Sequence, residues 1–226
     1  MRTSLWATVC ALAIAFAPHL AAAQAMLSGT WSMAPSRHAG EVRFELRVDS
    51  AGDHNESSFD ISPQRLGISD EQLRSAGGHI TFTFAREAGS FACEGSMAKG
   101  SGCGTFAFSP STAYLSTMRA HGYTLDPHQQ MTAATLDLTT AYVDGVAAAG
   151  FAHLSFEQLV SFRALGIDEA YIRSIRATFG GPIDAEKMLS LKALGIDSAY
   201  IKRVQAHGFS NLTVDQLISL KALNVI

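Results

Sequence analysis

The second half of the chain aligns with itself at a shift of 29 residues. The segment Phe162-Arg-Ala-Leu-Gly-Ile-Asp returns as Leu191-Lys-Ala-Leu-Gly-Ile-Asp, and Leu220-Lys-Ala-Leu-Asn-Val continues the series. Weaker copies extend back to Leu136 and, with one residue deleted, to Ala113. A fixed period in this range is typical of repeat proteins, in which short structural units stack on one another. The pattern therefore predicts a stacked array over residues 111–226.

Helix start and stop signals divide each predicted unit into two helices. Two sets of side chains suited to N-caps recur, and they are Asp126, Ser155, Asp184 and Thr213, then Ser111, Thr139, Asp168 and Asp197. Gln129, Gln158 and Gln216 complete a capping box in three units. Gly166 and Gly195 suit a left-handed helix end between the two helices. We therefore expect eight helices, arranged as hairpins.

Residues 26–110 have a different pattern, with apolar and polar side chains alternating. The alternation covers 42–48, 80–84 and 104–108, with a shorter candidate at 90–93. A period of two is typical of strands with one buried face. We expect an antiparallel sheet or a small sandwich, with a short helix opening at Ser69 and a boundary near Pro110. The predicted fold class is α+β.

The first 25 residues read as a secretory signal peptide. Arg2 precedes an apolar run that is too short to span a membrane, and small residues follow it up to Ala25. Its removal leaves 16 of the 17 basic residues against 20 acidic ones, a net charge of −4. This charge argues against nucleic-acid binding, which needs a basic surface. We expect an exported mature chain, periplasmic or secreted, without a membrane span.

Two cysteines remain in the predicted mature chain, Cys93 and Cys103, on either side of a Gly-rich stretch. An oxidising compartment and an even number of cysteines favour a disulfide, which a hairpin could close. The alternative is that both are small residues buried in strands.

Candidate catalytic and metal-binding residues are few. Ser96 and Lys99 match a Ser-x-x-Lys spacing, but they lie between two predicted strands, where a hairpin turn is the better interpretation. His121 and His128 have no neighbouring Cys, Asp or Glu at metal-ligand spacing. We therefore predict no enzymatic activity, no metal and no cofactor.

Basic and aromatic residues recur at equal positions in the units. Arg163, Lys192 and Lys221 share one position, Arg173 and Lys202 another, and Tyr142, Tyr171 and Tyr200 a third, with Tyr114 before them. The basic residues could form an interaction stripe for an anionic partner, or they could be ordinary solvated helix ends. The tyrosines could form an exposed binding row, although burial between units is favoured.

Most of the predicted mature chain resembles a region of a known family. The string from Phe84 to Phe91, continuing from Gly102 to Phe108, is similar to the extracytoplasmic C-terminal region of some bacterial antirepressor metallopeptidases of the beta-lactam-sensing type. The helical units resemble the repeats of that region. The resemblance implies a sensor or interaction appendage outside the membrane. The peptidase's His-Glu-x-x-His motif is absent from this chain, so no peptidase activity is implied.

These observations favour an exported interaction or scaffold protein that binds a protein partner in the cell envelope or outside the cell. One alternative is an envelope ligand sensor, whose β domain would hold a small molecule or glycan. Another is a hydrolase with a site assembled from scattered residues.

Overall fold

The computed structural model describes residues 27–50, 53–209 and 211–224, so the predicted signal peptide lies outside the described residues. Six strands come first, each antiparallel to its neighbours. They are β1 (Leu27–Pro35), β2 (Val42–Ser50), β3 (Asp53–Ile61), β4 (Gly78–Arg86), β5 (Gly89–Ala98) and β6 (Ser101–Pro110). A 3-10 turn, Pro63–Leu66, and the short helix α1, Asp70–Arg74, connect β3 to β4.

The strands form one sheet that is rolled rather than flat. Its order is β3-β2-β1-β6-β5-β4, so β3 and β4 are the two edges. In a flat sheet these edges would lie about 24 Å apart, because neighbouring strands are spaced by about 4.8 Å. The ring centroids of Phe59 on β3 and Phe84 on β4 nevertheless lie 5.9 Å apart. The two edges therefore face each other across an aromatic interior.

Side chains from every part of the sheet fill this interior. Alternate residues point inward, and the largest of the fully buried ones are Trp31, Phe44, Phe84, Phe91 and Phe108. Leu66 and Ile68, from the connection between β3 and β4, are also fully buried. The hydrophobic contacts that hold the sheet closed thus come from residues far apart in the chain.

Glycines allow the sheet to bend tightly beside Trp31. Gly95 on β5 pairs with Gly104 on β6. A Cβ atom on Gly104 would come within 2.0 Å of the Glu94 carbonyl oxygen, and one on Gly95 within 2.8 Å of the Trp31 ring. The indole Nε1 of Trp31 donates a hydrogen bond to the same Glu94 oxygen at 3.2 Å. The missing side chains leave the space that the indole ring and the neighbouring backbone occupy.

The four predicted strands all fall within observed ones, while β1 and β3 were not predicted from the sequence. The sandwich alternative is wrong, since the rolled sheet covers its own apolar face. The predicted short helix is α1, whose capping box joins Ser69 and Gln72. The two unpredicted strands are rich in Gly, Ser and acidic residues, which weaken a strand pattern.

Eight helices follow Pro110 within the described residues. They are α2 (Thr112–Ala120), α3 (Pro127–Thr135), α4 (Thr140–Ala148), α5 (Phe156–Leu165), α6 (Glu169–Phe179), α7 (Ala185–Ala193), α8 (Ser198–Ala206) and α9 (Val214–Ala222). All eight predicted N-cap residues accept a hydrogen bond from the backbone N–H three positions later. Gly166 and Gly195 take the predicted left-handed conformation.

The helices contact one another in two rows. One row is formed by α2, α4, α6 and α8 in succession, and α5, α7 and α9 follow one another in the second. Helix α3 lies against β1, β5 and β6, and so joins the helical part to the sheet. Apolar side chains of both rows are buried, among them Leu159, Ile172 and Met188, which are at most 1 % exposed.

Candidate binding surfaces

The repeated tyrosines hold successive helices together. The hydroxyls of Tyr142 and Tyr171 donate to the carbonyl oxygens of Ile167 and Ile196, each 25 residues later, at 2.6 and 2.7 Å. Tyr114 makes the corresponding bond to Leu138. Burial raises the pKa of all three phenols above the ordinary value. The tyrosines are therefore packing residues, and they form no exposed row.

Three of the five residues predicted as a basic stripe contact these tyrosine rings. The Arg163 guanidinium lies 5.2 Å from the Tyr142 ring centroid, Lys192 Nζ 4.3 Å from Tyr171 and Lys221 Nζ 4.5 Å from Tyr200. Such cation–π contacts hold these partly exposed side chains against the helices. The other two residues are exposed. Arg173 forms an ion pair with Glu169 on the same helix, α6, and Lys202 lies on α8.

The two cysteines are free thiols, so the disulfide, one of the two alternatives that the sequence left open, is not formed. Cys93 pairs with Phe106 across β5 and β6, whereas Cys103 pairs with Ser96. Ser96, the partner of Cys103, lies three positions from Cys93 along β5, so Cys93 points into the rolled sheet and Cys103 points to the outside. Burial raises the pKa of the Cys93 thiol to about 12, so at neutral pH it is protonated and inert. The alternative of a buried strand cysteine holds for Cys93.

The candidate catalytic and metal residues do not converge. Ser96 lies in β5, and Lys99 with Gly100 forms the two-residue turn to β6, both at positive φ. Nε2 of His121 lies 3.4 Å from Asp144 Oδ1, a contact that does not include His128. Within the described ranges, no group of three or more His, Cys, Asp or Glu is arranged to hold a metal ion.

The outer face of the sheet carries an open hollow of about 800 Å³. Its lining is rich in hydroxyls and small side chains, and it includes Thr30, Thr81, Thr83, Thr105 and Glu94. Because aromatic side chains fill the interior, this outer hollow offers a small ligand more room than the inside of the rolled sheet does.

The last described helices present an apolar surface, which we call the end surface. It consists of Phe209, Leu212, Leu220 and Leu223, with Asp215, Gln216 and Ser219 beside them, around a hollow of about 400 Å³. Phe209 is 41 % exposed and Leu223 is 74 % exposed. Together with Leu165 they are the large apolar side chains that stand out as exposed in the described part of the chain. Clustered apolar exposure of this kind is typical of interaction sites.

Sequence reasoning missed two features of the structure. One is the end surface, because exposure depends on which helices have a neighbour. The other is a group of arginines around Asp137, in the turn between α3 and α4. A signal for the second was available, since Asp137 occupies the position at which the following units have Gly166 and Gly195.

Comparisons with known proteins identify no family for this chain. No helix in residues 27–50, 53–209 or 211–224 is long and apolar enough to cross a membrane. The resemblance to the sensor appendages of antirepressor metallopeptidases stays a prediction. No family model, curated protein or solved structure matches this chain.

Proposed function

We propose that this chain is an exported, non-catalytic binding protein whose end surface receives a helix of a protein partner. The proposal takes the 29-residue pattern as a structural repeat, so that positions in successive units are equivalent. The observation that carries it is the exposure of Phe209 and the partial exposure of Leu220 in the end surface, since their equivalents Phe151, Phe162 and Leu191 are buried.

Burial of equivalent side chains supports this assignment. Leu191 and Phe162, which are equivalent to Leu220, are 0 % exposed, whereas Leu220 is only partly buried. Phe151 is 8 % exposed and its equivalent Phe209 is 41 % exposed. Fully burying a Leu or Phe side chain contributes about 1.5–3 kcal/mol. A helix placed on the end surface would therefore gain the same burial that each unit gives to the one before it.

Polar contacts between units indicate the chemistry of the partner helix. A donor on one helix contacts an acidic residue 28 positions later, at the start of the following unit; the pairs are Gln129 with Glu157, Gln158 with Glu186 and Lys187 with Asp215. The next donor in the series is Gln216, which is exposed and whose Nε2 meets no acceptor in the described part of the chain. We expect an amphipathic partner helix with Asp or Glu in its first turn.

The other end of the array is covered, and this bears on whether the partner of the end surface is a different protein or another copy of this chain. Helix α3 lies against β1, β5 and β6, so the first unit has no open face of the same kind. Head-to-tail self-association would need that face. The partner is therefore assigned to a different protein.

Site-specific photocrosslinking in the native host tests the proposal. A photoreactive amino acid at Leu223 is expected to give one discrete adduct with a second protein. Leu165 is the matched control, because it holds the same position in an earlier unit and is 40 % exposed without belonging to the end surface. No adduct is expected there.

A charge change at Gln216 tests the chemistry of the partner. Gln216→Glu should reduce the Leu223 adduct about fivefold, because it sets like charges against each other, while Gln216→Lys should preserve it. Equal labelling at Leu165, or insensitivity to both changes, would contradict the proposal. An adduct of twice the mass of the chain would instead indicate self-association.

A further inference from the structure

Three arginines from different parts of the chain surround Asp137. Arg86 Nη1 lies 3.0 Å from Asp137 Oδ2, Arg65 Nη2 3.7 Å and Arg163 Nη2 3.9 Å. Arg65 comes from the 3-10 turn, Arg86 from the end of β4 and Arg163 from α5. Only the Arg86 contact is short enough for a hydrogen bond with ordinary geometry. One carboxylate therefore stands opposite three positive charges.

The backbone conformation of Asp137 is unfavourable for a residue with a side chain. Asp137 has a φ of 55°, in the left-handed region that glycine adopts at low cost. The equivalent positions are Gly166 and Gly195, with φ of 69° and 67°. Retaining a side chain at this φ costs about 1 kcal/mol. The carboxylate offsets that cost by its contacts with the arginines.

The cluster retains an excess of positive charge. Glu87 is the other acidic residue beside it, and both of its carboxylate oxygens accept hydrogen bonds from Thr140, through the backbone N–H and the hydroxyl. Burial, and then the like charges of Arg65 and Arg163, lower the pKa of Arg86, while Asp137 acts in the opposite direction. The three arginines, Asp137 and Glu87 together carry a net charge of +1.

Several donors in the cluster are unused. The side chain of Arg86 is 10 % exposed, and its Nε is buried without a hydrogen-bond partner in the part of the chain that the structure describes. Arg65 is 59 % exposed and Arg163 is 32 % exposed, so a ligand in solvent can reach both. The Nε of Arg163 is held by the Leu136 carbonyl oxygen at 2.9 Å, which fixes the direction of its guanidinium. Buried and half-buried arginines in fixed positions are suited to bind oxyanions.

We propose that Arg65, Arg86 and Arg163 form a binding site for a phosphate group, such as that of a phosphomonoester, at the junction of the sheet and the helices. Guanidiniums that approach from three elements fit the three terminal oxygens of a tetrahedral phosphate better than one planar carboxylate. Asp137 holds the arginines in place when no anion is bound, and it competes with the anion for them.

Titration of the chain from residue 26 onward with sodium phosphate, against sodium chloride at matched ionic strength, tests this site. Saturable binding by calorimetry, with a rise in melting temperature, is expected only with phosphate. Arg65→Gln should weaken the affinity about tenfold, as expected for the loss of one charge-assisted hydrogen bond. Arg74→Gln is the control, because Arg74 is exposed on α1 and makes no ion pair within the described residues. It should bind like the unmodified chain.

Asp137→Asn separates binding from a purely structural role. Removing the competing carboxylate should tighten phosphate binding several-fold, and phosphate should raise the melting temperature of this variant more than that of the unmodified chain. If Asp137 and the arginines only stabilise the fold, the variant should be less stable and phosphate should not raise its melting temperature. Absence of saturable binding, or equal affinity in Arg65→Gln and the unmodified chain, would overturn the proposal. Both of those results remain measurable if Asp137→Asn fails to fold, because Arg65 is largely exposed.

Discussion

Single hydroxyl groups distinguish the tyrosines of the array. Tyr114, Tyr142 and Tyr171 each donate to a backbone carbonyl oxygen in the turn that precedes the next helix of their row. The Tyr200 side chain is 1 % exposed, and its buried hydroxyl has no hydrogen-bond partner among the described residues. A buried, unpaired polar group costs about 1–3 kcal/mol. A tyrosine hydroxyl therefore stabilises the structure at positions 114, 142 and 171 and destabilises it at position 200.

This difference predicts opposite results for one substitution. Tyr171→Phe should lower the free energy of unfolding by about 1 kcal/mol, because the Ile196 carbonyl loses its donor. Tyr200→Phe should leave the free energy unchanged or raise it, since it removes an unpaired hydroxyl. Urea denaturation of both variants measures the difference. Equal losses in the two variants would contradict this account of Tyr200.

At the scale of elements, the rolled sheet depends on close approach of β5 and β6. Gly104→Ala should lower the free energy of unfolding by about 3 kcal/mol, because its Cβ would come within 2.0 Å of the Glu94 oxygen. Gly78 is the matched control, as it lies in β4 with nothing within 4 Å of its added Cβ. Gly78→Ala should be neutral or slightly stabilising. Denaturant midpoints compare the two, and similar values would argue against steric control of the sheet.

The helices themselves follow from short-range signals, as residues such as Ser155, Gln158 and Gly166 illustrate. Ser155 and Gln158 form the predicted capping box, and Gly166 ends α5 in a left-handed conformation. These interactions join residues at most four positions apart, so the sequence specifies them directly. Strands β1 and β3 were harder to predict, because their polar and glycine residues become strand-like only through pairing with β2 and β6.

Over the whole molecule, stability should decrease along the array away from the sheet. Helix α3 is held by β1, β5 and β6, while α9 has extensive contact with α7 alone among the described elements. In stacked arrays each unit depends on its neighbours, so the end with fewer of them opens more often. Native-state hydrogen exchange should therefore be slowest in α3 and α4 and fastest in α8 and α9. Equal protection throughout would indicate that the sheet and the array unfold as one cooperative unit.

A substitution in α7, between α3 and α9, tests whether the helices open one after another. Leu191→Ala removes a fully buried side chain from α7 and should cost about 2–5 kcal/mol in local stability. Exchange in α7 to α9 should then accelerate, with little change in α3. Acceleration of the same size in α3 would contradict unit-by-unit opening.

The sequence by itself determined the helix ends, four of the strands and the change from strands to helices at Pro110. These features depend on capping, on turn residues and on the period of apolar side chains, all of which act between near neighbours in the chain. The proposed export rests on residues 1–25 and stays a prediction.

Only the tertiary structure decided which side chains meet across long stretches of sequence. It placed Cys93 and Cys103 on opposite faces, laid Lys192 over Tyr171, and brought Arg65 and Arg86 to Asp137. The physical reason is that these contacts depend on how the sheet rolls and how the helices stack on it. Both are set by the burial of many apolar side chains together, which no short stretch of sequence specifies.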